Sequence, residues 1–316
     1  MIQNNSVCVI GGAGFLGSHL VDYLINERNC DVLVLDNLIT GQKKNLHPKA
    51  KFVWCDITQS EGTLKKIFSQ NKIEYVFNYA AEPYIPVSFE RPLHVFDINA
   101  RGALMVLNAA QEAGVKRILQ VSSAEIYGDA PSHKIDETYP ANPHSTYGAA
   151  KLAIDVLVQC RWKENKTPAI AMRQFNCLGE KESHEYVIPE IVRQLHKEPK
   201  VRLGNNSFRD FQYAGDAVAM AVDLLENGEL GEVYNMGSEG GIKIYDLARL
   251  IGELMGHEKI EIEVDQSKVR PWEIWHLQSD NTKLYNVITT RPKVDLREGL
   301  QRTINYFREN GNKWDF

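Results

Sequence analysis

The 316-residue chain lacks the usual sequence signs of a secreted, membrane-bound or nucleic-acid-binding protein. Its five cysteines are odd in number and form no Cys-x-x-Cys pair, which argues against a disulfide framework and against a zinc site. No run of about 18 apolar residues is present, so we expect no membrane span. The formal net charge of −5 disfavours a nucleic-acid partner, which would require a basic face.

Repeats and low-complexity tracts are also absent from the sequence. Residues 1–6 are polar and run directly into an apolar segment, so we expect no signal peptide and a cytoplasmic location. With 43% hydrophobic and 24% charged residues, the composition is that of an ordinary globular protein. A chain of this length can bury a large core, and we predict two closely joined lobes.

The first half of the chain alternates short apolar runs with stretches of helical periodicity. Such alternation predicts βαβ units and an α/β fold built on a parallel sheet. The predicted strands are 6–10, 31–35, 52–55, 75–78, 117–121 and 167–173. The predicted helices are 15–25, 62–69, 100–113 and 146–162, followed in the less regular second half by 187–196, 217–225, 244–255 and 296–308. We place the lobe boundary near Asn176.

A glycine-rich turn joins the first predicted strand to the first predicted helix. Gly11 permits the tight turn, Gly14 lets the backbone approach a pyrophosphate, and Gly17 lets the helix pack on the strand. At the helix start, the free backbone amides of Phe15 and Leu16 and the positive end of the helix dipole favour the binding of a phosphate. Strand, turn and helix together predict a Rossmann dinucleotide site.

The second predicted strand indicates which dinucleotide binds. It ends at Asp36, whose carboxylate can accept hydrogen bonds from ribose hydroxyls and would repel a 2′-phosphate. The next residues, Asn37, Leu38, Ile39 and Thr40, include no arginine that could bind such a phosphate. The sequence therefore favours NAD over NADP.

Tyr147 and Lys151 stand four residues apart on the helix predicted for 146–162, and so share one helix face. A nearby cation favours the phenolate form of a tyrosine and lowers its pKa. A phenolate so tuned can take the proton of an alcohol while the alcohol's carbon gives hydride to a nicotinamide. The pair predicts an alcohol-oxidising centre.

The segment 121–128, Val-Ser-Ser-Ala-Glu-Ile-Tyr-Gly, ends a predicted central strand, where side chains face the ligand crevice of such sheets. With this segment, the chain resembles the extended short-chain dehydrogenases/reductases, the nucleotide-sugar epimerase/dehydratase family. The resemblance spans nearly the whole chain. Its motifs are the glycine turn, Asp36-Asn37-Leu38, Asp56-Ile57, Ala80-Ala81, Asn99, segment 121–128, Tyr147-x-x-x-Lys151, Arg173-Gln-Phe-Asn176, Arg209-Asp210-Phe211 and Arg270-Pro271.

The resemblance implies a Rossmann doubly wound parallel sheet over residues 1–176, with 211–237 returning to it. Residues 177–316 would form a smaller mixed α/β lobe that binds a nucleotide-diphosphate sugar. It also implies a homodimer in which helices 100–113 and 146–162 form a four-helix bundle. The implied cofactor contacts, beyond the glycine turn, are Asp36, Asn37, Leu38, Asp56, Ile57, Ala80, Ala81, Asn99, Tyr147 and Lys151.

The resemblance further implies roles for the reacting groups. Ser123 would bind the reacting hydroxyl, Tyr147 would be the base, and Lys151 would hold the nicotinamide ribose. Glu82 would contact the sugar. Asn176, Arg209 and Arg270 would bind the substrate's diphosphate and nucleoside, since two arginines can pair with a diphosphate by charge-assisted hydrogen bonds.

The family's members share oxidation of the sugar at C4 and differ in the later steps of the reaction. Glu125 lies where 4,6-dehydratases carry the carboxylate that removes the C5 proton, which favours loss of water. Ala124 lies where many of them carry an acidic or hydroxyl residue, and an alanine cannot donate a proton. A 4-epimerase needs no such carboxylate and is the first alternative. A C4 dehydrogenase and a C6 decarboxylase rank behind it.

Two readings from other classes are disfavoured. A non-catalytic NAD-binding sensor would be expected to have lost Tyr147, Lys151 or the arginines, and all are present. An NADP-linked carbonyl reductase is disfavoured by Asp36 and by the long second lobe. The sequence therefore predicts an NAD-dependent nucleotide-sugar enzyme, with a dehydratase ahead of an epimerase.

Overall fold

A computed structural model describes residues 2–130, 133–183, 186–269 and 272–310. Its strands are β1 Ser6–Ile10, β2 Asp31–Asp36, β3 Lys51–Trp54, β4 Tyr75–Asn78, β5 Arg117–Ser123, β6 Ala169–Gln174, β7 Asn176–Leu178, β8 Lys200–Leu203, β9 Phe208–Arg209, β10 Phe211–Tyr213, β11 Val233–Met236, β12 Ile242–Lys243, β13 Glu261–Val264 and β14 His276–Leu277.

The helices are numbered in chain order in the same way. They are α1 Phe15–Asn26, α2 Glu61–Gln70, α3 Ile85–Glu90, α4 Pro92–Phe96, α5 Ala103–Glu112, α6 Thr146–Asn165, α7 Val187–Lys197, α8 Ala214–Asn227, α9 Ile244–Met255, α10 Thr282–Tyr285 and α11 Leu296–Glu309. A π-helical turn, Asp97–Gly102, joins α4 to α5, and a 3₁₀ turn, Ala124–Tyr127, comes directly after β5. Across the described ranges, no helix combines the length and the apolar composition needed to cross a membrane.

Seven parallel strands form the central sheet, in the order β11-β6-β5-β4-β1-β2-β3. The strands are apolar and largely buried because helices cover both faces. On one face, α1 and α8 pack together over side chains such as Val9, Phe77 and Met172. On the other, α2 and α5 pack together over Cys8, Val76 and others. This architecture confirms the predicted doubly wound α/β fold.

Two short helices that the sequence analysis did not predict carry prolines in their first turns. The helix predicted for 100–113 is in fact preceded by α3 and α4, which carry Pro86 and Pro92 in their first turns. Proline is tolerated there because the first amides of a helix have no partner within it. Along the sequence, the same prolines suggest breaks, so periodicity alone does not predict these two short helices.

The chain passes between the sheet and a smaller lobe more than once. After β6, the short strand β7 pairs in parallel with β10, and α8 then leads back to β11, the seventh strand of the sheet. The smaller lobe contains α7, α9 and α11 around a core that includes Ile191, Leu247 and Leu300. The lobe boundary near Asn176 stays a prediction. A cavity of about 900 Å³, hereafter the site cavity, is lined by residues of the sheet edge and of the smaller lobe.

Candidate active site

The glycine turn forms one end of the site cavity. Gly11 has φ +77°, and a side chain there would lie 2.8 Å from the amide nitrogen of Ala80. A side chain at Gly17 would overlap the carbonyl oxygen of Gly11, whereas at Gly14 the nearest atom would be 3.3 Å away. No side chain caps α1, so its first amides are available to an anion. The cradle therefore fits a pyrophosphate.

Asp36 lies buried beside the glycine turn. Its carboxylate accepts hydrogen bonds from the amides of Ala13, at 2.9 Å, and Leu38, at 2.8 Å. A carboxylate has about four acceptor positions, so these two bonds leave capacity for ribose hydroxyls. Leu38 adopts φ +60°, and its amide helps to hold Asp36 in place, while its predicted cofactor contact stays a prediction. The residues present fit NAD.

The residues predicted for the adenine side of the cofactor follow the strands β2, β3 and β4. Asn37, Asp56 and Ile57 all line the site cavity, as do Ala80 and Ala81 after β4. The amide of Asn37 donates to Asp56 at 3.3 Å, which ties the ends of β2 and β3 together. These contacts hold the cavity wall in shape.

Asn99 does not line the site cavity, and its predicted cofactor contact stays a prediction. It is 1% exposed, and its side chain bonds to the backbone of Glu82 in both directions. Its Oδ1 accepts from the Glu82 amide at 2.8 Å, and its Nδ2 donates to the Glu82 carbonyl at 3.0 Å. A buried amide satisfied in this way fixes the loop after β4. Asn99 thus acts through Glu82.

Ser123, Tyr147 and Lys151 lie together at the carboxyl end of β5. Ser145 caps α6 by accepting from the Gly148 amide at 3.0 Å, and this cap sets the first turn that carries Tyr147. The side chains of Ser123 and Tyr147 are hydrogen-bonded. Lys151 donates to the Val121 carbonyl at 2.8 Å, with Nζ 5.8 Å from the centre of the Tyr147 ring.

The expected tuning of Tyr147 by Lys151 is not provided by the protein's own groups. Burial raises the pKa of Tyr147 above its usual range, the Ser123 hydrogen bond lowers it, and the charges of Glu125 and Glu82 raise it further. The Lys151 ammonium donates to the Val121 carbonyl rather than to the Tyr147 hydroxyl. Burial lowers the pKa of Lys151 to about 8, and the Asp155 carboxylate opposes that change.

Lys151 should therefore lower the stability of the cofactor-free protein. Its pKa falls from 10.5 to about 8 on folding, so the unfolded state binds the proton more tightly. The cost is fully present below about pH 8 and vanishes as the pH rises to 10.5. We expect Lys151→Met to raise the free energy of unfolding at pH 7 by up to about 3 kcal/mol, with no gain near pH 10.5. Urea unfolding at both pH values measures this, and an equal change at both would contradict it.

Glu125 begins the 3₁₀ turn after β5, and its amide donates to the Ser123 hydroxyl at 3.2 Å. Its half-buried side chain lines the site cavity beside Ser123 and Tyr147, as the sequence predicted. Ala124 also lines the cavity and is buried. The structure thus brings a carboxylate, but no acid at position 124, to the reacting centre.

The predicted substrate residues divide into three cases. Asn176 and Glu82 line the site cavity. Arg209 also lines it but is buried, and its guanidinium binds Glu273 at 2.8 Å, which orients it and offsets part of its charge. Arg270 lies outside the described residues. The structure therefore brings three of the four together.

Sequence reasoning missed several groups near the site. Glu182 is a buried residue of the cavity wall, its Oε2 has no hydrogen-bond partner among the described residues, and burial raises its pKa well above the usual value. No motif distinguishes this glutamate from its neighbours in the sequence. Trp272 and Trp275 are 68% and 59% exposed, so neither packs in the core.

A buried ion pair behind the reacting groups was also missed. Arg173 binds Asp155 at 2.9 Å and the Tyr127 hydroxyl at 2.7 Å, which links β6, α6 and the turn after β5. Tyr127 then donates to Asn235 at 2.6 Å. The network joins the segments that carry Glu125 and Lys151, although the buried Oδ1 of Asp155 has no hydrogen-bond partner among the described residues. The pairing is long-range, so spacing could not reveal it.

Comparison with known proteins agrees with this geometry. The dTDP-D-glucose 4,6-dehydratase of Mus musculus is 32% identical over 98% of this chain and 90% of its own length. Among solved structures, a UDP-glucose 4-epimerase from Thermotoga maritima, with UDP-glucose, matches with a TM-score of 0.90, 31% identity, and coverage of 96% of this chain and 99% of the other. The dTDP-glucose 4,6-dehydratase from Streptomyces venezuelae, with NAD and TYD bound, matches with a TM-score of 0.90, 26% identity and coverage of 98% and 99%.

The sequence profile of one family covers most of the chain. Residues 7–237 match the NAD dependent epimerase/dehydratase family, a range that includes the glycine turn, Ser123, Tyr147 and Lys151. The match confirms the resemblance stated from the motifs, and with it the choice of NAD as the cofactor. The chain belongs to the NAD-dependent epimerase/dehydratase family.

Proposed function

We propose that this protein oxidises C4 of a nucleotide-diphosphate hexose and then removes water from C6, as a sugar-nucleotide 4,6-dehydratase. One observation carries the proposal: Ser123, Glu125 and Tyr147 line one cavity together with the glycine cradle. A hydroxyl-binding group, a base and a second carboxylate thus meet beside the cofactor site. The relatives named dTDP-D-glucose 4,6-dehydratase support the same reaction.

Each residue has a distinct task in the proposed reaction. NAD, when bound, supplies the hydride acceptor and a positive charge. Ser123 hydrogen-bonds the C4 hydroxyl, and Tyr147 takes its proton. Since the protein's own groups hold the pKa of Tyr147 high, we expect its phenolate to form only in the complex. Lys151 can leave the Val121 carbonyl to hold the ribose.

Glu125 then acts on the oxidised sugar. A ketone at C4 acidifies the C5 proton, and the Glu125 carboxylate removes it, so that the C6 hydroxyl can leave. A positioned base of this kind contributes about 10²–10⁴-fold to a rate. Asn176, Arg209 and Arg270 are proposed to bind the diphosphate and nucleoside, and Glu273 would keep the Arg209 guanidinium facing them.

A 4-epimerase is the alternative that a specific observation favours. Ala124 supplies no proton donor for the departing hydroxyl, and the Thermotoga maritima relative is a UDP-glucose 4-epimerase. In that reaction the keto sugar would turn over in the site cavity and be reduced on its other face. Glu125 would then serve only to bind a hydroxyl.

Product mass separates the two reactions. The purified protein is incubated with UDP-, dTDP-, GDP- and CDP-hexoses, with no cofactor added beyond what it retains. A product lighter by the mass of water from one of them, and its absence with Glu125→Gln, is the result expected. An unchanged mass with an inverted C4 configuration would replace the proposal with the epimerase.

We also propose a cytoplasmic homodimer. The exposed apolar side chains Leu93 and Phe96 on α4 and Val156 on α6, at 85%, 45% and 49% exposure, lie on two helices that pack together. Exposed apolar side chains on two packed helices support a protein–protein contact at this surface. The sequence analysis placed the dimer contact on helix 100–113. The proposed contact lies instead on α4, which precedes that helix in the chain.

Leu93→Asp should convert the dimer to a monomer without unfolding it. The side chain is 85% exposed, so the change adds a charge to the proposed contact and leaves the core intact. Val264→Asp on β13, with 49% exposure away from α4 and α6, is the control and should keep the dimer. Analytical ultracentrifugation measures both, and a Leu93→Asp protein that sediments like the wild type would exclude this surface.

A further inference from the structure

The proposed dehydratase lacks one group that its chemistry needs. When the C6 hydroxyl leaves, it must take up a proton to depart as water, and Ala124 cannot supply one. A second carboxyl at the reacting centre would do so. If the proposed function holds, on which this inference rests, another residue of the cavity wall must fill that role.

Glu82 reaches the reacting centre through the topology of the sheet. β4 and β5 are parallel neighbours, with Asn78 opposite Gln120. Ser123 is the last residue of β5 and Glu82 comes four residues after Asn78, the last residue of β4, so both lie at the carboxyl ends of adjacent strands. Both side chains line the site cavity.

The Glu82 side chain is confined. It is 7% exposed, and the two hydrogen bonds to Asn99 fix its backbone. Its Oε1 accepts from the Tyr84 amide at 3.3 Å, which orients the carboxyl. A carboxyl that must deliver a proton to one oxygen benefits from such fixation, because its geometry is set before the substrate arrives.

Glu82 and Glu125 both lie close to the reacting hydroxyl. The negative charges of both raise the pKa of Tyr147, so both carboxyls lie within electrostatic reach of the Tyr147 hydroxyl group. Two carboxylates at one site resist ionising together, and one of them tends to keep its proton. Glu82 is the more buried of the two. Glu125 can therefore act as the base while Glu82 acts as the acid.

We propose that Glu82 is the catalytic acid of water loss and replaces the group missing at position 124. In the 4-keto sugar, Glu125 takes the C5 proton, and the electron pair of the C5–H bond forms the C5–C6 double bond. The C6–O bond breaks, and the departing hydroxyl takes the Glu82 proton and leaves as water. Reduction of the enone, with hydride at C6 and a proton at C5, regenerates NAD.

Exchange of the C5 proton with solvent distinguishes loss of the acid from loss of the base. In deuterium oxide, Glu82→Gln should still oxidise C4 and exchange the C5 proton, but it should lose water about 10²–10⁴-fold more slowly. Recovered substrate would then carry one deuterium at C5. Glu125→Gln should show neither exchange nor water loss. Because glutamine keeps the bond to the Tyr84 amide, Glu82→Gln is expected to fold.

Two further variants make the assignment specific. Ala124→Asp added to Glu82→Gln should restore water loss, because it places a carboxyl group at position 124, where the alanine cannot supply a proton. Glu182→Gln is the matched control, since Glu182 is another buried glutamate of the cavity wall, with the same 7% exposure as Glu82. It should keep water loss near the wild-type rate.

Three results would overturn the assignment. Unslowed water loss in Glu82→Gln, or a stop at the exchange stage in Glu182→Gln instead, would remove Glu82 from the role of acid. Loss of C5 exchange in Glu82→Gln would make it part of the base or of substrate binding. A wild-type protein that removes no water from any hexose would refute the proposed function itself. The wild-type reaction therefore tests the proposed function independently of the Glu82 variants.

Discussion

Tyr147→Phe should lower the rate of C4 oxidation about 10²–10⁴-fold, the range for loss of a positioned base. The variant removes one oxygen atom from a buried ring, so the hydrogen bond with Ser123 is lost but the packing of α6 is not. The decrease should appear in kcat far more than in KM, because the hydroxyl acts in the transition state. Single-turnover formation of the keto product measures it.

Ser123→Ala provides the comparison for this effect. Ser123 binds the reacting hydroxyl without taking its proton, so we expect a smaller decrease than for Tyr147→Phe. Retained NAD, measured by absorbance after denaturation, controls for an empty cofactor site in both variants. If Tyr147→Phe turned over at the wild-type rate with NAD retained, another group would have to be the base.

Gly17→Ala should destabilise the protein, whereas Gly14→Ala should mainly weaken NAD binding. At position 17 a methyl group overlaps the Gly11 carbonyl oxygen, so either β1 or α1 must move. Overpacking of this kind costs about 1–3 kcal/mol. Gly14 has φ −80°, which alanine adopts freely, and its nearest atom would be 3.3 Å away.

The two glycine variants therefore separate folding from cofactor binding. At position 14 the added methyl group faces the pyrophosphate cradle, so the melting temperature should change little while the dissociation constant for NAD rises. At position 17 both should change. Thermal unfolding and NAD titration measure the pair. Equal melting temperatures for Gly14→Ala and Gly17→Ala would contradict this division of roles.

Features that depend on local sequence were predicted well. The glycine turn is predictable from Gly11 and Gly17, whose backbone demands are visible along the chain, and β1 and β4 have the bounds that their apolar runs predicted. The Tyr147–Lys151 spacing placed both residues on one helix, and the structure places both at the cavity. In each case the neighbours in sequence are also the neighbours in space.

Features that depend on tertiary contacts were predicted poorly. Asn99 carries a recognisable motif position, but only the folded chain shows that it bonds Glu82 and lies behind the cavity wall. The pKa of Tyr147 is set by burial and by two glutamates that are far away in sequence. No spacing rule could have reported either, because both depend on how β4, β5 and α6 pack together.

The position of hydrogen transfer tests the central claim most directly. The hexose that the protein turns over is labelled with deuterium at C4, and the product is examined by NMR. If this protein oxidises C4 and returns the hydrogen within the same site after water loss, the deuterium will be found at C6. Deuterium back at C4 with inverted configuration, or its loss to free reduced cofactor, would contradict the account.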